Sequence, residues 1–128
     1  MKYDLNRLRT PCYFVDRGLL QGNLDILAGV QKRTGCKILL ALKGFAMWSL
    51  FGQIREVLAG VAASALFEAR LGRETFGGQV HLCAPAYRAD EMEELLDNAD
   101  HMIFDSLSQW RQFRPYVQKR GGRVEAGL

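Results

Sequence analysis

Five short apolar runs recur along the chain at roughly 22-residue intervals: Lys37 to Leu42, Val61 to Ser64, Gln79 to Cys83, His101 to Asp105 and Arg123 to Gly127. Each has the length of a buried strand. Between them the apolar residues follow the helical period, as from Met47 to Leu58, where Trp48, Phe51, Ile54, Val57 and Leu58 share one face. The pattern predicts a βα repeat. Gly35, Gly60, Gly77-Gly78 and Gly121-Gly122 precede strands, where a helix C-terminus needs a residue that tolerates positive φ. Asp90, and Ser106 or Ser108, stand where a side-chain oxygen would accept from the first-turn N–H groups of the next helix.

Successive βα units with short connections force parallel strands, so the predicted fold class is α/β. Two architectures fit. Five strands in 128 residues suit a small doubly wound sheet of flavodoxin type, whereas a complete (β/α)8 barrel needs roughly 200 residues or more. The ends of the chain favour the barrel. The run from Arg123 to Leu128 has no helix after it, although a parallel strand needs cover on both faces. Pro11 to Asp16 reads as a strand, yet a helical segment from Leu19 to about Thr34 separates it from the next one. The expectation is therefore a single partial domain over residues 1–128, the N-terminal portion of a (β/α)8 barrel, with residues 10–16 a strand of a separate sheet.

Composition is that of a globular protein, with 48% hydrophobic and 24% charged residues. Net charge is +3, and acids and bases are interleaved apart from a modest basic excess between Arg111 and Arg123. A nucleic-acid surface would concentrate its basic residues and set aromatics among them, so none is expected. Cys12, Cys36 and Cys83 are an odd number, far apart, and form no Cys-x-x-Cys pair, which argues for a reducing compartment and no metal site. Residues 1–10 lack the apolar run of a secretory signal, and no stretch approaches about 18 uninterrupted apolar residues. A cytoplasmic location with no membrane partner is expected.

The strand Lys37 to Leu42 leads directly to Lys43, followed by Gly44. Working groups of parallel α/β folds sit at the carboxyl ends of strands, and an amine there can form a Schiff base. Position alone does not separate Lys43 from a solvated surface lysine such as Lys37.

The wider stretches around it do. Thr10 to Asp16, Cys36 to Trp48 and Ala63 to Gly72, then Phe76 to His81, Ala84 to Tyr87 and Phe104 to Trp110, resemble carboxynorspermidine decarboxylases in order and without large gaps. These enzymes are alanine-racemase-like, fold-type III proteins that use pyridoxal 5'-phosphate. The resemblance implies that Lys43 is catalytic and carries the cofactor. It also implies decarboxylation of carboxynorspermidine or carboxyspermidine to norspermidine or spermidine, and a homodimeric full-length protein. The rest of the barrel, the phosphate loop and a C-terminal β-domain would lie beyond Leu128, so this chain by itself would be an open, poorly stable and inactive piece.

Other candidates carry a structural reading beside the functional one. Ser64 and Glu68 end the second strand and begin its helix, where they would support the cofactor or simply form most of a capping box. Glu68 also suits the helix dipole. Asp105, with Ser106, ends the fourth strand on the cofactor side or caps the following helix. Tyr87 would line the substrate channel or cover the barrel edge. Alternation turns His81 away from Val80 and Leu82, as a packing residue, and His101 begins a strand at the distal end. The group Phe45, Met47, Trp48 and Phe51 is expected in the core. The rival readings are another fold-type III activity, of diaminopimelate or ornithine decarboxylase or racemase type, and a non-enzymatic flavodoxin- or receiver-like module binding through Asp16 or Asp105.

Overall fold

The computed structural model describes residues 4–128. Five parallel strands, β1 (Leu39–Ala41), β2 (Gly60–Ala63), β3 (Gln79–Cys83), β4 (His101–Ile103) and β5 (Glu125–Gly127), form one sheet in the order β1-β2-β3-β4-β5. Helices alternate with them: α1 (Arg17–Thr34), α2 (Phe51–Ile54), α3 (Leu66–Leu71), α4 (Met92–Asn98) and α5 (Leu107–Gln118). All five predicted strands are present. A flavodoxin-type sheet reverses its strand order at a switch point, and this one does not. The unbroken order is that of part of a (β/α) barrel, which removes the receiver-like alternative.

Period-two alternation sorts the sheet into a covered and an open face. Val61 and Val80 share one register row, and Leu82 and Met102 another; all four are fully buried. With Phe51, Phe76, Phe104 and Phe113 they form the core beneath the helices. The alternate row, Ala41, Ala62, His81, His101 and Glu125, lies on the other face and is partly or fully exposed. Among the described strands, β1 and β5 each pair on one side only.

Local chemistry sets the helix limits. Asp16 caps α1 by accepting from the N–H groups of Gly18 at 2.7 Å and Leu19 at 3.1 Å. Gly35 ends it at φ 71°, and Lys32 and Arg33 complement the dipole in its last turn. Gln31 then clamps α1 to the sheet: its Oε1 accepts from the Ile38 N–H and its Nε2 donates to the Val57 carbonyl, both at 2.8 Å. Ser106 caps α5 by accepting from the Gln109 N–H at 3.2 Å.

Three expectations are corrected. Asp90 is not an N-cap; Glu91 precedes α4 with no side-chain cap, because the Asp90 carboxylate pairs with Arg88. The helix expected from Met47 to Leu58 is a 3-10 turn, Trp48–Leu50, running into the single turn of α2. The tighter turn rotates Trp48 off the core face, leaving it 69% exposed, while Phe51 is buried and Phe45 and Met47 are partly buried. Residues 10–16, expected in a separate sheet, make no ladder with the described strands. Gly60 does not supply positive φ, unlike Gly35, Gly77, Gly78, Gly121 and Gly122. It lies in β2 because a Cβ there would meet the Gln79 carbonyl oxygen at 2.0 Å.

That close approach is testable. Gly60→Ala should destabilise the chain by about 3 kcal/mol, since backbone has to move to admit the methyl group. Gly52→Ala, in α2 with nothing within 4 Å of the new Cβ, should stabilise it by about 0.5 kcal/mol. Urea denaturation of the two variants against the parent measures the contrast.

Candidate active site at the carboxyl ends of the strands

Lys43 follows the buried Leu42, whose N–H donates to the Ala62 carbonyl at 3.0 Å and so extends the ladder one residue past β1. A tight turn comes next, with the Gly44 and Phe45 N–H groups both donating to the Ala41 carbonyl, at 3.0 and 3.1 Å. Lys43 is therefore held by backbone on both sides while its side chain is exposed. It makes no hydrogen bond or ion pair with any described residue. The result is a primary amine at a rigid strand end with its nitrogen uncommitted.

On the neighbouring strand, Ser64 and Glu68 form the pair suggested by their spacing, with the polarity partly reversed. Glu68 Oε2 accepts from the Ser64 N–H at 2.6 Å and from the Ser64 Oγ–H at 2.9 Å. The acid reaches back as in a capping box, but the hydroxyl donates to it instead of capping α3. Glu68 is only 8% exposed, the one buried charged residue among those described. Its Oε1 has no hydrogen-bond partner there.

Asp105 ends β4 but does not cap α5, a task taken by Ser106. Its N–H donates to Gln109 Oε1 at 3.0 Å, and Gln109 Nε2 reaches the Pro85 carbonyl at 3.1 Å, tying two strand ends together. The Asp105 carboxylate is exposed and free of described partners. Three strand spacings separate β1 from β4, about 14 Å along the sheet, so Lys43 and Asp105 flank the strand ends without touching.

Tyr87 is a staple. Its hydroxyl accepts from the Ala84 N–H at 3.1 Å and donates to the Ile103 carbonyl at 2.8 Å, joining the loop after β3 to β4. The ring packs edge-on to Phe104. Burial pushes the phenol up to about 12, partly offset by the hydrogen bond from the Ala84 N–H. With both of its hydrogen-bonding roles filled by backbone, the hydroxyl is not free to bind a substrate.

Two features escaped the sequence reading. A largely apolar cleft of about 540 Å3 lies beside Lys43, lined by Tyr13, Phe14, Val15 and the segment from Gly44 to Ser49. It brings residues 13–15 against the loop after β1, a contact no periodicity reveals. The second is on the open face, where the His81 and His101 rings stack at 4.0 Å. Their shared phase, opposite to Val80, Leu82 and Met102, was legible, but their pairing depends on strand register.

Among the described residues no cluster of His, Cys, Asp or Glu could hold a metal ion, and no helix is long and apolar enough to cross a membrane. The three cysteines are free and exposed.

The fold matches the N-terminal α/β portion of a carboxynorspermidine decarboxylase, within a wider set of similarly named decarboxylases. The Campylobacter jejuni carboxynorspermidine decarboxylase, solved in complex with norspermidine, superposes with a TM-score of 0.87 at 34% identity, over 94% of this chain and 32% of that one. Over 97% of its length the chain is 42% identical to the carboxyaminopropylagmatine decarboxylase of Synechocystis sp.. It is 36% identical over 94% of its length to the carboxynorspermidine/carboxyspermidine decarboxylase of Herminiimonas arsenicoxydans. The chain spans about a third of the length of these relatives, 32% and 34% respectively. No family model matches it.

The Tyr87 staple has a pH signature. A folded-state pKa raised from 10.0 to about 12 favours the neutral phenol in the fold, so its contribution is complete below pH 10 and is lost as pH rises through about 12. Tyr87→Phe should cost about 1–3 kcal/mol at neutral pH, by leaving the Ala84 N–H and the Ile103 carbonyl without their partner. It should also remove this alkaline loss, as urea midpoints measured across the range will show.

Proposed function

We propose that this chain supplies the cofactor-anchoring part of a pyridoxal-phosphate-dependent decarboxylase that converts carboxynorspermidine or carboxyspermidine to norspermidine or spermidine, acting in full-length form as a homodimer. The observation that carries this reading is Lys43, an exposed and unpartnered amine at the carboxyl end of β1. The other residues fit the cofactor in part. The Ser64 hydroxyl already donates its hydrogen bond to Glu68, so it can accept another but has no donor left for a phosphate oxygen. The phosphate would thus be held by residues of the longer protein.

When bound, pyridoxal phosphate supplies an electron sink for the pair left behind as carbon dioxide departs. Lys43 would hold the cofactor through its primary amine, Nζ. Glu68 acts through Ser64, fixing the last backbone N–H of the β2 end beside the lysine. Tyr87 holds the loop from Ala84 to Tyr87 against β4 through its hydroxyl. Asp105, three strands from Lys43 and with a free carboxylate, would meet a cationic amine of a polyamine in this reading. The 128-residue chain alone is inactive in this reading, since its sheet ends at β1 and β5 with one edge of each unpaired among the described strands.

A second substrate, carboxyaminopropylagmatine, is favoured by the 42% identity to the Synechocystis decarboxylase. Both readings place the same lysine at the same strand end. They differ in the substrate's far end.

To test them, the chain is joined to the remaining two-thirds of the Campylobacter jejuni decarboxylase, incubated with pyridoxal phosphate, reduced with borohydride and mapped by peptide mass. The label should fall on Lys43 and disappear in Lys43→Ala. A label on another lysine of this chain, or none on it, would sink the proposal. Carbon dioxide release from the three carboxylated amines then separates the substrates.

A further inference from the structure

The open face of the sheet carries a row of titratable side chains that no step of the proposed reaction uses. His81 of β3 and His101 of β4 are register partners, and their rings stack at 4.0 Å with 19° between planes. His101 is in turn the register partner of Glu125 of β5, with Nδ1 and Oε2 3.2 Å apart. His81 Nε2 lies 3.4 Å from Gln79 Oε1. The row therefore spans three strands and ends on β5, which has only three residues and one strand neighbour among those described.

We propose that the His81 and His101 stack is a pH-sensitive clasp that holds β3 against β4 near neutral pH and loosens in mild acid. Two imidazoles stacked at 4.0 Å share a face comfortably while at most one is charged. The proton that His101 can hold is matched by the Glu125 carboxylate, whereas the side chain within hydrogen-bond distance of His81 is an amide, Gln79. A second proton puts like charges face to face.

The surroundings set the direction. Partial burial holds His81 below its usual 6.5, and the neighbouring His101 adds to this, as does Lys37 at the approach to β1. Asp100, just before β4, and Glu125 oppose it. These are the charged groups that face His81 from β1, β4 and β5. Because the folded-state value is depressed, the stabilising contribution is present above 6.5 and is lost as pH falls through that lower value. The clasp belongs to the fold of this chain and does not depend on the decarboxylase reading.

Proton NMR titration of the imidazole resonances of the full chain reads it directly. In the parent, His81 should titrate below 6.5. His101→Gln and Lys37→Gln should each move that midpoint up, and Glu125→Gln should move it down. Lys37 and Glu125 are exposed, so the last two variants keep the fold if His101→Gln does not. Urea midpoints should fall between about pH 7.5 and about pH 5, and fall less in His81→Gln. A His81 midpoint at or above 6.5 in the parent, or one unmoved by Lys37→Gln and Glu125→Gln, overturns the clasp.

Discussion

Alternation along parallel strands, combined with helices that bury only one face of the sheet, is the constraint on which the rest of this structure depends. It sends Val61, Val80, Leu82 and Met102 into the core and leaves Ala41, Ala62, His81, His101 and Glu125 on the open face. Burying the first set supplies the hydrophobic driving force. The second set is then free to be polar, and where it is polar the side chains meet in rows, because strands in register bring equivalent phases together. Chemistry at the strand ends inherits the same phase: Leu42 goes in, and Lys43 is left exposed.

Side chains at the carboxyl ends divide between those that hold backbone and those left free. Glu68, Ser106, Gln109 and Tyr87 all spend their polar atoms on backbone N–H or carbonyl groups, or on a neighbour that does so. Lys43 and Asp105 spend none on described residues. This division is what makes the lysine a candidate for covalent chemistry and makes the tyrosine a support. A site whose reactive groups had to satisfy their own loops would have nothing left to offer a ligand.

Strand existence was legible because five apolar runs separated by helical periods leave little freedom of interpretation. Helix ends were legible where one side chain decides them, as at Ser106, and misread where a competing partner intervenes, as Arg88 does for Asp90. Gly60 had the right identity and the wrong reason, since the requirement comes from Gln79, nineteen residues later in sequence and adjacent only across the ladder. Trp48 went astray because one 3-10 turn changes the phase of every residue in it. Ser64 and Glu68 were paired correctly by spacing, yet whether the hydroxyl donates to the acid or caps α3 was not legible, because it depends on how α3 docks.

Local information in the sequence determined the βα rhythm, the covered face of each strand and the position of Lys43 at a strand end, because these follow from periodicity over a few residues. Resemblance to carboxynorspermidine decarboxylases made that lysine a cofactor candidate. Tertiary structure alone decided the strand order, the consumption of the Tyr87 hydroxyl by Ala84 and Ile103, the stacking of His81 on His101 and the cleft formed by residues 13–15 beside Gly44 to Ser49. Each of these joins groups distant in the chain, and their meeting depends on register and docking, which no local pattern encodes.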